Sequence, residues 1–372
     1  GQVQEITGIQ YYDPLAQTFR VDETTGIFIT SVDVFMQTKD EDVVTTLFVA
    51  NTHTQLLFFS TDGMAYKLKT WRLPLGARTA KGKAIVNILP IQAGVSIAAV
   101  MPVDAPEEEW EKLQIIFSTS SGDVRRNALS DFTNVRSNGK IAMDLPEDIT
   151  LVNARIANED DDVMLVTDSG RAIRFSTTAV RVFKGRKSTG VRGIKLLGDD
   201  KVVSMSVIRH FIATPDERSA YLKMRRAVSG LVDEETSLDE EEVSENPTIS
   251  PDRYAEMSAA ENLILTITAG GAGKLSSSHD YPVRGRGGMG VAAMDKTMRG
   301  GAIVASFPVE LEDQIMLATS NGQSIRVPIE GISFRSRSAG GVKVFDTKES
   351  EEVVSVAWIA DQGDDTEEDA EE

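Results

Sequence analysis

Cysteine is absent from the 372 residues, so the chain has no disulfide framework, no thiolate nucleophile and no thiolate site for zinc. Histidine is nearly absent. His53, His210 and His279 stand far apart with no ligand-like neighbours, which makes each a structural residue. Aromatic residues make up 6% of the chain, and no apolar run approaches the ~20 residues of a membrane-spanning helix. No signal peptide opens the sequence. Together these absences point to a reducing, cytoplasmic setting without a membrane partner. Tyr11, Tyr12, Tyr66 and Tyr281 sit in no nucleophile setting, and no Ser or Asp falls in a recognisable triad or nucleophile elbow. No catalytic residue, metal site or cofactor is expected of this chain.

What is present is repetition. Met164 to Ile194 has three parts: an apolar run, a polar turn at Thr167-Asp168-Ser169-Gly170, and a return run mixing Ala172 and Ile173 with Arg171 and Arg174. A basic, glycine-bearing loop follows, Lys184 to Gly190. The pattern recurs at Phe58–Leu68, Phe117–Arg126, Leu265–Leu275 and Met316–Arg326, each followed by its own basic loop. A turn glycine between two short strand-like runs signals a hairpin. Gly63, Gly122, Gly170, Gly271 and Gly322 lie 59, 48, 101 and 51 residues apart. A period near fifty marks a propeller-like or solenoid array, with an insertion filling the long interval. The fold class is therefore all-β.

Charge is distributed unevenly. The net charge of −18 is concentrated in three places: −8 in residues 361–372, −8 in 216–261 and −4 in 1–35. The repeat body is left with +2, and its bases collect in the loops after the hairpins. An acidic whole with basic loops is compatible with a polyanion-binding face.

Three segments stand outside the repeat. Residues 1–35 form a strand-rich leader; its stretch Tyr11 to Phe35 resembles a segment of tailed-phage structural proteins. The insertion, 212–262, offers two helix starts, Thr214-Pro215-Asp216-Glu217 and Ser250-Pro251-Asp252, each with a hydroxyl cap, proline at the first helical position and acids near the positive end of the dipole. Between them Asp233 to Glu245 is an acidic run expected to be disordered, as is the tail, 361–372.

Two loops resemble nucleotide motifs without their context. Gly285 to Gly290 satisfies GxGxxG, but β-repeat rather than helix follows it. Ala269 to Lys274 resembles a P-loop, yet Thr268 replaces its first glycine and Leu275 its magnesium ligand. Both read as structure. The basic loops are different, because they recur at one position of the unit: Arg78, Lys81 and Lys83; Arg136 and Lys140; Lys184, Arg186 and Lys187; Arg284 and Arg286 with Gly287, Gly288 and Gly290; Arg335 and Arg337. In a blade array equivalent loops fall on one rim, where their charges would form a curved track for double-stranded DNA. Glycine in such loops lets a phosphate approach the backbone closely.

These repeats, with Leu47 to His53, Ala84 to Pro90 and Val182 to Arg186, resemble the C-terminal domain of DNA gyrase A, of the alphaproteobacterial type with a helical acidic insertion. The resemblance runs from Met36 to about Ala360. It implies a β-pinwheel, here of about five to six four-stranded blades, that wraps DNA around its rim without catalysis. It also implies partnership with the gyrase core, the rest of gyrase A together with gyrase B, in an ATP-hydrolysing type II topoisomerase whose negative supercoiling the wrap makes directional. In that setting the chain would be cytoplasmic and nucleoid-associated. The family's first blade carries the motif Q-R-R-G-G-K/R-G. Its nearest match here is Arg284 to Gly290, which keeps Arg286, Gly287, Gly288 and Gly290 but has Arg284, Gly285 and Met289 at the other three places. The missing first blade, the missing core and the phage-like leader make a fragment or fusion the expectation. The alternative reading is a virion-associated or protein-interaction propeller.

Overall fold

The computed structural model describes residues 16–17, 28–38, 41–74, 84–185, 188–228, 244, 246–295, 297, 300–347 and 351–359. Antiparallel strands dominate. β1 (Ala16–Gln17), β2 (Phe28–Thr38) and β3 (Glu41–Asn51) form a three-stranded sheet in that order. Phe35 pairs with Val44 and Met36 with Val43, so one ladder runs through residue 36 and joins the leader to the segment after it.

Five units follow. The first has β4 (Gln55–Ser60), β5 (Met64–Lys69) and β6 (Ile97–Val103). The second has β7 (Gln114–Thr119), β8 (Asp123–Ala128), the two-residue β9 (Lys140–Ile141) and β10 (Leu151–Ile156). The third has β11 (Asp161–Thr167), β12 (Arg171–Ser176), β13 (Val191–Arg192) and β14 (Val202–Arg209). The helices α1 (Pro215–Val228) and α2 (Pro251–Ala260) come next. The fourth unit has β15 (Leu263–Thr268), β16 (Ala272–Ser277), β17 (Val291–Ala292) and β18 (Ile303–Val309). The fifth has β19 (Gln314–Thr319), β20 (Ser324–Pro328), β21 (Val342–Lys343) and β22 (Val353–Ile359).

The sheets do not coincide with these units. Four have four strands, ordered β6-β4-β5-β9, β10-β7-β8-β13, β14-β11-β12-β17 and β18-β15-β16-β21; the fifth, β20-β19-β22, has three. In every four-stranded sheet the last strand is the two-residue piece of the following unit. Met64 thus pairs with Ile141, Val124 with Val191, Ala172 with Val291 and Gly273 with Val342. The second to fifth units each lend a strand to the unit before, and this exchange ties the array together.

The turn glycines make that exchange possible. Gly63, Gly122, Gly170 and Gly271 have φ between 76° and 86°, a region that costs other residues free energy. Their carbonyls then accept amides of the exchanged segment: Gly63 from Ala142 and Met143, Gly122 from Gly193 and Ile194, Gly170 from Ala293, Gly271 from Val344 and Phe345.

The core lies mostly between neighbouring sheets. Phe59 of the first unit meets Phe117 and Phe132 of the second edge-on, with ring centroids 5.3 and 5.5 Å apart. Further clusters join the second unit to the third, the third to the fourth and the fourth to the fifth. β6, β10, β14, β18 and β22 pack in succession against one another, which puts them at the middle of the array and the hairpins' second strands at its outside. β3 packs against β22, while Ala50 joins the apolar cluster of the first unit. The first sheet therefore fills the place between the fifth unit and the first.

The insertion contributes the two helices α1 and α2. Thr214 Oγ1 accepts the Glu217 amide and the Glu217 carboxylate accepts the Thr214 amide, a reciprocal capping box. Ser250 caps α2 through the Arg253 amide. Residues 229–243 and 245, which hold nearly all of the acidic run, and the tail, 361–372, lie outside the described residues. No helix among the described residues is long and apolar enough to cross a membrane.

Candidate nucleic-acid interface

Each basic loop of the second to fifth units belongs to one unit but lies on the outer strand of the unit before it. The entrance of the loop is fixed by a backbone bond. The amide of Phe183 donates to Arg126 O (2.7 Å), that of Arg284 to Arg174 O (2.8 Å) and that of Arg335 to Leu275 O (2.7 Å). Its exit is fixed by the exchanged strand. The glycine just before that strand has no room for a side chain. A Cβ on Gly190 or Gly290 would sit far under 3.0 Å from the carbonyl of Val124 or Ala172.

Consecutive loops also bond to one another. Gly287 N donates to Gly193 O at 2.6 Å and Lys195 N to Gly288 O at 2.8 Å. Asp295 N donates to Ala339 O at 3.4 Å. The buried Arg125 guanidinium links Ser188 O (2.6 Å) to Ala142 O. The loops of the second to fifth units thus form one continuous band on the outer edge.

The side chains of that band divide into free and tied cations. Arg136, Lys184 and Arg284 are exposed. Arg286 is exposed, but its guanidinium reaches back to Ala179 O (2.9 Å) and Arg192 O (3.1 Å). Lys140 donates to Asp131 O (2.5 Å) and Asn134 O (3.0 Å) of its own loop. Arg335 is half-buried. Arg337, expected on the rim, is instead 1% exposed. Its backbone amide and Nε donate to Asp280 Oδ2 (2.6 Å) and Asp280 O (2.9 Å), and Nη1 reaches Ala292 O. The sequence puts Arg286 and Arg337 at one loop position, and they make equivalent bonds to the preceding unit; this position is an inter-unit tie. Gly287, Gly288 and Gly290 supply backbone contacts to neighbouring units rather than an open cradle. Arg78, Lys81, Lys83, Arg186 and Lys187 lie outside the described residues.

Sequence reasoning missed a second set of cations, buried or half-buried. They lie three or four residues after the turn glycine and grip the next unit's loop from beneath. Lys274 Nζ, with no exposed surface, binds the carbonyls of Ser336 (2.9 Å), Ala339 (2.6 Å) and Arg337. Arg174 donates to Ser278 O (2.7 Å) and pairs with the buried Asp162 (2.7 Å), which also accepts from His210 Nδ1 (2.7 Å). Burial pulls the Arg174 guanidinium below its ordinary pKa, and Asp162 pulls it back up. Lys67 reaches Thr133 O and Glu107 (2.9 Å). A base recurring inside the hairpin strand was the available signal. Also missed were Arg192 and Lys195, both exposed on the band.

Five segments, 54–104, 114–158, 161–209, 262–310 and 313–357, match the family described as DNA gyrase C-terminal domain, beta-propeller. The DNA gyrase A protein of Granulibacter bethesdensis is 45% identical over 345 residues, covering 88% of this chain and 37% of the relative. The Rickettsia bellii protein of the same name is 40% identical over 333 residues, covering 90% and 37%. The chain thus spans little more than a third of the curated relatives it matches. Among solved structures, the C-terminal domain of DNA topoisomerase IV superposes with a TM-score of 0.64 at 20% identity, covering 95% of both chains. The DNA gyrase A C-terminal domain gives 0.60 at 18%, covering 93% of this chain and 90% of that one; at such identities the likeness speaks to fold. Matched in all five of its hairpin units, the chain belongs to the DNA gyrase C-terminal domain family.

Proposed function

We propose that this chain binds duplex DNA along its outer band and bends it around the rim, without catalysis of its own. The observation that carries this reading is the continuity of the band: basic loops of four consecutive units are joined on the outer strands, the second to the third through the Arg125 guanidinium and the others by backbone bonds, and Arg136, Lys184 and Arg284 stay exposed. Each phosphate neutralised releases counterion, so affinity should be sequence-tolerant and steeply salt-dependent. Bending a stiff duplex costs on the order of several kcal/mol, which many weak contacts along a curved edge can offset. The DNA gyrase A relatives support the wider role: within the bacterial cytoplasm, the wrap would present a neighbouring duplex segment to the rest of gyrase A and to gyrase B, giving ATP-dependent supercoiling its direction.

Ligation of nicked circular DNA with the protein bound tests this. The expected result is a linking-number change of one sign that grows with bound protein and vanishes at high salt. Unchanged linking number at saturating protein and low salt would overturn the wrapping reading.

A further inference from the structure

One turn of the fourth unit is gripped from two sides. Ser278–Asp280 forms a single turn of 3-10 helix between β16 and the fourth unit's basic loop. On one side, His279 is enclosed by the helical insertion. Its ring meets Tyr221 of α1 at 5.1 Å and Phe211 at 5.4 Å, and Nε2 lies 2.8 Å from Met257 O of α2. Burial holds this imidazole below its ordinary pKa; because a carbonyl only accepts, Nε2–H is the donor to it. On the other side, the next residue, Asp280, is buried against the fifth unit's basic loop, accepting the Arg337 amide through its carboxylate and Arg337 Nε through its carbonyl.

The insertion also touches that loop directly. Arg225 of α1 stacks on the Phe334 ring at 4.7 Å and pairs with Glu261 at 3.1 Å. Phe334 bridges to Leu275 at the loop's entrance. Arg226, one residue on, is buried and, with Arg337 and Lys274, draws on the Asp280 carboxylate. The corresponding turns of the other units, Thr70–Arg72, Leu129–Phe132, Thr177–Ala179 and Ile329–Gly331, carry no histidine. At Ala179, where Asp280 has its counterpart, there is no carboxylate, and the equivalent arginine, Arg286, stays exposed.

We infer that the helical insertion is a positioning element for the basic loop 335–341, acting through Arg225 on Phe334 and through His279 and Asp280 of the shared turn. This rests on the DNA-binding reading above for its purpose. It does not rest on it for the physical coupling. The insertion itself need not touch the duplex: it sets the backbone of the band where the band reaches the fifth unit, so that unit's part of the DNA path depends on helices packed behind it.

The test uses the full chain. Arg225→Ala removes the stack and the ion pair from a partly exposed site, so the fold should survive; Arg225→Lys keeps a cation for Glu261 and should restore most of the effect. His279→Ala loosens the insertion from the turn. Without DNA, hydrogen exchange of residues 335–341 should rise about tenfold in Arg225→Ala and His279→Ala, while 284–290 keep wild-type rates. With DNA, hydroxyl-radical footprints should lose protection at one end of the wrap, whereas Arg284→Ala should weaken it elsewhere. Unchanged exchange in both variants would overturn the coupling. Faster exchange with an intact footprint would overturn the positioning role. A footprint indifferent to Arg284→Ala as well would remove the duplex reading itself, and that failure is separable because the exchange measurement needs no DNA.

Discussion

At the scale of single residues, the turn glycines carry two requirements at once. Gly271 has φ of +76°, and a Cβ there would fall far under 3.0 Å from the Phe345 carbonyl of the exchanged segment. Strain and collision add, so Gly271→Ala should destabilise the chain by about 2 to 4 kcal/mol. Gly285 is the contrasting case: it has no positive φ, and nothing lies within 4 Å of an added Cβ. Gly285→Ala should stay within about 0.5 kcal/mol of wild type. Thermal melts of the two variants check this, and equal losses would mean that the exchanged segment yields to the new methyl group. The turn glycines were legible in the sequence, each standing between two strand-like runs. The distinction between cations was not. Arg-Gly-Arg at 284–286 and Arg-Ser-Arg at 335–337 read alike, yet at the same place Arg286 is exposed and Arg337 is enclosed. What separates them is Asp280 of the preceding unit, a residue that no local pattern brings together with the loop; Arg286 meets Ala179 there instead.

At the scale of elements, hairpins were readable and exchanged strands were not. β4 (Gln55–Ser60) and β5 (Met64–Lys69) fall where an apolar run, a glycine turn and a return run put them. The two-residue β9, β13, β17 and β21 are too short to show any periodicity, and their partners lie far away in sequence, as Met64 lies from Ile141. The consequence appears at the fifth unit. Among the described residues no lent strand pairs with β20, and Ile325 is 41% exposed there. An unpaired edge opens more readily than a covered one. Amides of β20 should therefore exchange at least about tenfold faster than those of β12, which β17 covers. Hydrogen exchange followed by mass spectrometry on 320–328 and 168–176 reads the difference. Equal protection would show that another segment closes this edge in solution.

At the scale of the whole molecule, net charge describes the wrong object. The chain carries −18, yet the band on the outer strands is basic, and only part of that basicity is available to a partner. Of the seven described loop cations that the sequence singles out, Lys140, Arg286 and Arg337 hold protein carbonyls, Arg335 is half-buried, and Arg136, Lys184 and Arg284 are exposed without such ties. Were all seven phosphate contacts, they would contribute a slope of roughly 6 in log affinity against log salt; the three free ones contribute roughly 3. The triple variant Arg136→Ala, Lys184→Ala, Arg284→Ala should then lower the slope by about 3 while leaving the melting temperature within a few degrees of wild type, because none of the three side chains holds a neighbouring unit and the Arg284 amide is kept. Titration of a duplex at several salt concentrations measures it. A slope that falls by less than about 1 would move the contact surface off this band and leave its exposed cations as solubilising charge.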